Sequence, residues 1–379
     1  MTGAATDGDR RFRRGVAIAA VVGLVVRLAY TVGVRWKEGL EYDAPVYISR
    51  ARFLLDGRGF TDPDEWFFHS TRAEGAIHPP GQALWLALGD LLGFDSAEAL
   101  MAWGVVAGVA TIVVIGYLGR EVIDERTGLV AAGIAAVYPG LWSYDPTAMA
   151  ESLAQLLVAV LLLLSYRFWR VPSPSRAAWL GAVAAAGALT RSELVVLIPA
   201  LVIPVTLASR GSTRQALTCT GSALLWCSLV LAPWVGWNAV RFEHPATLAT
   251  GIDISLRYAN CDEVWYGEQV GLWNVFCGVD ITNDPANDLA DETELGQQYR
   301  ARAGAYVRDN LGRLPVVVAA RTGRTLGLYA PAQQVEFEST REVREAPVLW
   351  SAMLGSWALA LLGAVALIWP APRSRRGLA

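Results

Sequence analysis

What most restricts this chain is a series of apolar runs, each too long and too free of charge for a soluble core helix. A run of roughly 18 or more apolar residues can cross the hydrocarbon of a bilayer as a helix. Inside a bilayer only helices and closed barrels satisfy their own backbone. Composition agrees, with 54% hydrophobic and 18% charged residues, where a soluble domain carries about 25% charged. The expected fold class is an all-α polytopic membrane protein. Nothing in the composition points to nucleic acid. No small-residue cleavage site follows the first apolar run, so that run is expected to stay as an anchor.

The runs predict about eight spans, at 15–34, 97–118, 128–144, 149–168, 176–191, 194–209, 215–236 and 347–369. The positive-inside rule orients them. With the N-terminus cytoplasmic, the inner segments are Arg10–Arg14, Arg120–Arg126, Arg167–Arg176, Arg210–Arg214 and Arg373–Arg376, all basic or mixed. The turn Ser143–Pro146 has no Lys or Arg. The domains expected are a cytoplasmic N-terminus (1–14), a membrane module (15–236) holding a first outer loop (35–96), a large extracytoplasmic loop (237–346), a last span (347–369) and a basic cytoplasmic tail (370–379). The location expected is the plasma membrane, with both ends cytoplasmic.

In the first outer loop, His78-Pro79-Pro80-Gly81 opens an apolar stretch from Gln82 to Leu92. At that length a juxtamembrane helix fits better than a span. In the large loop, the first half reads as irregular. Asp291–Asn310 reads as a polar helix, with Leu295, Tyr299, Ala303 and Tyr306 three and four apart. Leu311–Tyr329 is apolar but carries Arg313, Arg321 and Arg324, and reads as a helix along the outer membrane surface or against the bundle. Cys219 and Cys227 fall inside a span, as packing residues. Cys261 and Cys277 share the large loop, where an oxidising compartment favours a disulfide over two separate thiols.

Polar groups beside spans need a reason to be there. Asp43 follows the first span, and a carboxylate there suits a general base or a metal ligand, or simply the N-cap of the next helix. Glu41 stands two residues before it. His78 suits a ligand or hydrogen-bond donor, or an interfacial cap. Asp145 and Glu151 flank the start of the fourth span, and Glu151 either faces a site or stabilises a helix N-terminus. Arg191, at the break between the fifth and sixth spans, suits a bidentate phosphate contact, or pairs with Glu193 to close the turn. Arg241 is a second phosphate candidate or an interfacial anchor beside Trp234 and Trp237. Gly-rich phosphate loops, nucleophile elbows and zinc spacings are not seen. All candidates fall on the outer face, where no soluble nucleotide sugar is available, so a lipid-carried donor fits.

In order, the pieces are Glu41-Tyr42-Asp43 with Tyr47, Asp56–Phe60, His78–Gly81, Tyr138-Pro139, Ala148–Glu151, Leu189-Thr190-Arg191, and Pro233-Trp234 with Asn238. This set resembles the GT-C superfamily of polytopic glycosyltransferases, close to the dolichyl-phosphate-mannose protein mannosyltransferases and the aminoarabinose transferases. The resemblance implies a GT-C-like helix arrangement. It also implies a donor sugar, mannose-like or arabinose-like, on a polyprenyl phosphate, passed with inversion to an acceptor hydroxyl of a protein, lipid or polysaccharide. Asp43 matches the family's catalytic aspartate, and Arg191 and Arg241 become the lipid-phosphate contacts. Glu41, His78, Asp145 and Glu151 become acceptor or metal-site candidates. A divalent metal, not required, would sit at Asp43, His78 and Glu151. Two departures stand out: Ala44-Pro45 follows Asp43, where the family often has a second acid, and family members are usually longer. The rival expectations are a transporter or flippase of a lipid-linked sugar, which would show repeats and broken helices at mid-membrane, and a non-catalytic envelope assembly factor.

Overall fold

A computed structural model describes residues 7–37, 39–40, 43–209, 211–287, 290–341 and 344–368. Glu41 and the basic tail Arg373–Arg376 lie outside the described residues.

Helix α1 (Asp7–Gly33) runs further toward the N-terminus than its apolar run, because Asp7 and Asp9 pair with Arg11 and Arg13 one turn on. The first connection then folds into α2 (Ala44–Leu55), α3 (Pro63–His69) and α4 (Gly81–Leu91). As expected, α4 is a helix of 11 residues, too short to span. Helix α5 (Ala97–Val122) returns through the bundle and α6 (Glu125–Val137) runs back. Pro139 forces Tyr138 into an extended conformation and ends α6, so the segment expected as one span is a 13-residue helix followed by the short α7 (Pro139–Trp142).

Helix α8 (Glu151–Arg170) descends and α9 (Pro174–Thr190) ascends. The segment expected as a sixth span is irregular, because Pro199 and Pro204 interrupt its ladder: a 3-10 turn, a π turn, then α10 (Ile203–Leu207). Helix α11 (Thr213–Arg241) ascends beside α9, and Gly181 lets the two backbones meet, since a methyl there would lie 1.8 Å from Ala223 O. Small residues at the contact are how helices gain close packing in lipid.

Among the described residues, five helical stretches are long and apolar enough to cross a membrane: Asp7–Lys37, Ala97–Val122, Glu151–Arg170, Thr213–Arg241 and Ala346–Ala366. The other three of the eight expected segments are shorter or broken. Three of the basic segments meet at one end of the bundle, where Arg120 pairs with Asp9 and Arg170 with Glu121. Within the bundle Arg27, fully buried on α1, pairs with Asp145 at 2.5 Å and donates to Ala136 O. Gly104 and Gly108 of α5 leave the room that Asp145 occupies.

The large loop is a folded cap. Its first half, expected to be irregular, contains α12 (Gly251–Tyr258), α13 (Asp262–Trp265) and α14 (Val279–Thr282). Trp265 is fully buried there beside the Cys261–Cys277 disulfide, which was expected. The polar helix forms as α15 (Glu292–Asp309), opened by a capping box between Asp291 and Glu294. Helix α16 (Leu314–Thr325) packs on the cap's own core through Val317 and Ala320, and its arginines add directed bonds. Arg321 donates to Ala259 O, and buried Arg324 donates to Val270 O and Glu268 O. Helices α17 (Pro331–Arg341) and α18 (Ala346–Ile368) close the chain, with Tyr138 OH of the bundle donating to Ala352 O of α18.

Candidate active site

The end of the bundle opposite the basic segments is built from three chain breaks that touch. Asp43 occupies the N-cap position of α2 without making a side-chain capping bond, so its carboxylate is left for another partner. That partner is His78, whose Nε2 lies 3.5 Å from Asp43 Oδ2. The imidazole also packs against Tyr47 of α2, with ring centroids 4.7 Å apart and the rings tilted by 35°. Pro79 and Pro80 then fix the entry into α4. Gly81 is required at the next position, since a methyl there would lie 2.6 Å from Leu189 O and 2.9 Å from Thr190 Cα. The start of α4 therefore sits directly on the end of α9, one residue before Arg191. Gln82 next donates 2.8 Å to Ala148 O, on a residue in the left-handed region (φ 57°), three residues before Glu151.

Glu151 and Arg191 meet as an ion pair, and Arg191 Nε donates to Glu193 at 2.5 Å. Both readings of Arg191 are therefore present: it closes the turn with Glu193 and reaches Glu151. Burial raises the Asp43 carboxyl, but the interaction with His78 and the charges of His78, Arg191 and Arg50 outweigh it, holding Asp43 below its ordinary value. Burial, with Asp43 and Glu151 nearby, pushes the Tyr47 phenol up. These mutual influences mean that Asp43, Tyr47, His78, Glu151 and Arg191 form one electrostatic neighbourhood.

Below Glu151 and Arg191 opens a cavity of about 690 Å³. One wall is α8 at Glu151, Ala154, Gln155, Val158 and Leu162; the other is α5 at Thr111, Ile115 and Leu118. From Glu151 to Leu162 the wall runs about 16 Å at 1.5 Å per residue. The lining is apolar apart from its charged mouth, Gln155 and Thr111. One oxygen of Glu151 and one of Gln155 are buried without a hydrogen-bond partner among the described residues.

Other expected site residues are placed elsewhere. Asp145 does not reach the cavity: its oxygens are taken by Arg27 and Ser152. Arg241 has its guanidinium engaged by Glu74, Asn238 Oδ1 and Gly75 O, under Trp237, and does not line the cavity. Asp43, His78 and Glu151 do not come together as three metal-ligand atoms. Among the described residues the one such group is Cys261, Glu263 and Cys277, whose sulfurs are joined in the disulfide. Arg27 and Arg50, both buried, were not singled out from the sequence; an arginine in the middle of the first apolar run was the available signal for Arg27.

Residues 77–237 match the dolichyl-phosphate-mannose-protein mannosyltransferase family, which is less than half of the chain. No curated protein matches the chain. Among solved structures, the chain is similar to the Archaeoglobus fulgidus oligosaccharyltransferase in complex with Zn and sulfate. Identity is 14% and the TM-score 0.50, over 93% of this chain and 46% of that one. The apo form of that protein gives 14% identity and a TM-score of 0.47, over 97% and 40%. The chain thus spans under half the length of these structures. The likeness is one of fold, and the fold is a GT-C-like membrane fold. The matched family segment begins one residue before His78 and contains Glu151 and Arg191.

Proposed function

We propose that this protein is an inverting membrane glycosyltransferase that moves a sugar from a polyprenyl-phosphate carrier to an acceptor hydroxyl on the extracytoplasmic side. The observation that carries the reading is the cavity with Arg191 and Glu151 at its mouth and apolar helix faces below, beside the Asp43–His78 pair. The apolar walls suit an isoprenoid chain. The mouth suits a phosphate, which the Arg191 guanidinium would meet through the nitrogen that neither Glu151 nor Glu193 engages, as a charge-assisted hydrogen bond. The family match over residues 77–237 supports the same class of donor.

In this mechanism Asp43 accepts the proton of the acceptor hydroxyl as its oxygen attacks the anomeric carbon from the face opposite the phosphate. His78 keeps the Asp43 carboxylate ionised and aimed. The bond from the anomeric carbon to the phosphate oxygen breaks through an oxocarbenium-like transition state. The leaving polyprenyl phosphate carries away the electron pair, and Arg191 offsets its developing charge. Glu151 holds Arg191 in place before the donor arrives.

Polyprenyl-phosphate binding to the purified protein, read by native mass spectrometry, tests the donor half of the proposal. Wild type should retain the lipid, and Arg191→Ala should weaken retention at least tenfold. Equal retention by both would remove Arg191 from the phosphate site. No retention by wild type would remove the lipid donor.

A further inference from the structure

We infer that Glu292, the first residue of α15 in the large loop, is a positioning residue for His78, acting through the backbone of Ala76 and Ile77. The inference rests on the reading of His78 as the partner of the catalytic Asp43.

Residues 76 and 77 are held on both sides by the cap. The Glu292 carboxylate accepts from Ala76 N at 2.7 Å and from Thr250 Oγ1 at 2.6 Å. Thr250 N donates to Ala76 O at 2.9 Å, and Gly251 N donates to Ile77 O at 3.2 Å. Gly251 permits this approach, since a methyl there would lie 2.5 Å from Ile77 O. His78 follows at once, and two prolines fix its other side. The imidazole thus has its backbone clamped before and after, with its ring between Asp43 and Tyr47.

Burial pushes the Glu292 carboxyl up to about 7 against the opposing pull of Arg50, two turns along α2 from Asp43. Arg50 is buried, and its three guanidinium nitrogens make no hydrogen bond among the described residues; Asp62 Oδ2 lies 3.7 Å away and Glu292 Oε1 3.9 Å. A buried cation at such distances holds its acids by charge and not by directed bonds. The large loop is in this way joined to both halves of the catalytic pair: to His78 through Ala76 and to the Asp43 helix through Arg50. A loop that shifts would move His78 relative to Asp43 without itself touching substrate.

The test uses the full-length protein with His69→Gln and His244→Gln, so that His78 is the remaining histidine of the three in the chain. Its carbethoxylation rate by diethyl pyrocarbonate is measured well below each variant's thermal midpoint. Glu292→Ala should raise the rate at least fivefold, and Thr250→Val should raise it as well. Glu292→Gln, which keeps an acceptor for Ala76 N, should stay within threefold of the parent. Transfer assays on the same variants should show kcat falling at least tenfold in Glu292→Ala, with the donor KM unchanged and Glu292→Gln restoring most of kcat. An unchanged modification rate in Glu292→Ala overturns the inference. So does an equal loss in the Gln and Ala variants, which would mark a purely structural role. Faster modification in Glu292→Ala with no transfer by wild type would uphold the clamp and overturn the glycosyltransferase reading instead.

Discussion

His78 Nε2 lies 3.5 Å from Asp43 Oδ2, and the same imidazole packs against the ring of Tyr47. This contact joins the start of α2 to the start of α4 and leaves Asp43 about half exposed to the space above the bundle.

The pair has a pH signature. The Asp43 carboxyl lies below its ordinary value because His78 and the nearby arginines outweigh burial. A group depressed in the folded state contributes stability above its unfolded pKa and loses it as pH falls through the folded one. Transfer by wild type should therefore keep its base ionised well into acid. His78→Ala removes the largest favourable influence, so the acid limb of its pH–rate profile should move to higher pH. An acid limb that stays in place would dissociate His78 from Asp43.

The buried pair Arg27–Asp145 predicts an asymmetry in stability. Replacing one member leaves an uncompensated buried charge, at a cost of about 3–5 kcal/mol. Arg27→Met or Asp145→Asn alone should lower the thermal midpoint in detergent sharply. The double replacement should recover much of the loss. If the double variant is no better than the worse single one, the two do not act as a pair.

Gly81 and Gly133 should respond oppositely to alanine. At Gly81 the added methyl meets the backbone of α9 at 2.6 Å, whereas at Gly133 of α6 nothing lies within 4 Å. Gly81→Ala should cost about 1–3 kcal/mol as overpacking and should also lower transfer, because it separates His78 from Arg191. Gly133→Ala should be neutral or stabilising by about 0.5–1 kcal/mol. Thermal melts of both variants, with transfer rates alongside, check this.

The Cys261–Cys277 disulfide closes a short loop around buried Trp265, at a sequence separation of 16. Loops of that size gain about 3 kcal/mol from the bond. Replacing both cysteines by Ser should make 251–287 the first region cut by limited proteolysis, while the bundle resists. Cleavage elsewhere first would place the weak point outside the cap.

The apolar runs made the bundle legible, because lipid leaves a chain few ways to satisfy its backbone. Pro79 and Pro80 made the start of α4 legible, whereas Pro139 was passed over, and the segment expected as one span to residue 144 ends as a helix at Val137. The cap was hard to read. Helices as short as α12 and α13 carry little periodicity, and burial of Trp265 against the disulfide is a tertiary effect. The arginines of α16 argued against a further span, and the sequence did not show that Arg321 and Arg324 donate to loop carbonyls. At the site, the residue types of Asp43, His78, Glu151 and Arg191 were visible in sequence. Their partners were not: Arg241 is enclosed by Glu74 and tryptophans, and Glu292 lies more than 200 residues from the Ala76 amide it accepts from.

The most direct test is transfer from a radiolabelled polyprenyl-phosphate sugar in membranes carrying wild type or Asp43→Asn. Wild type should move label to an acceptor with inverted anomeric configuration. Asp43→Asn, inserted to the same level, should be slower by on the order of 10²–10⁴, the usual worth of a general base. Equal transfer by the two would contradict the role of Asp43. Absence of transfer by wild type from mannose- and arabinose-type donors, with divalent metal supplied, would contradict the glycosyltransferase account itself.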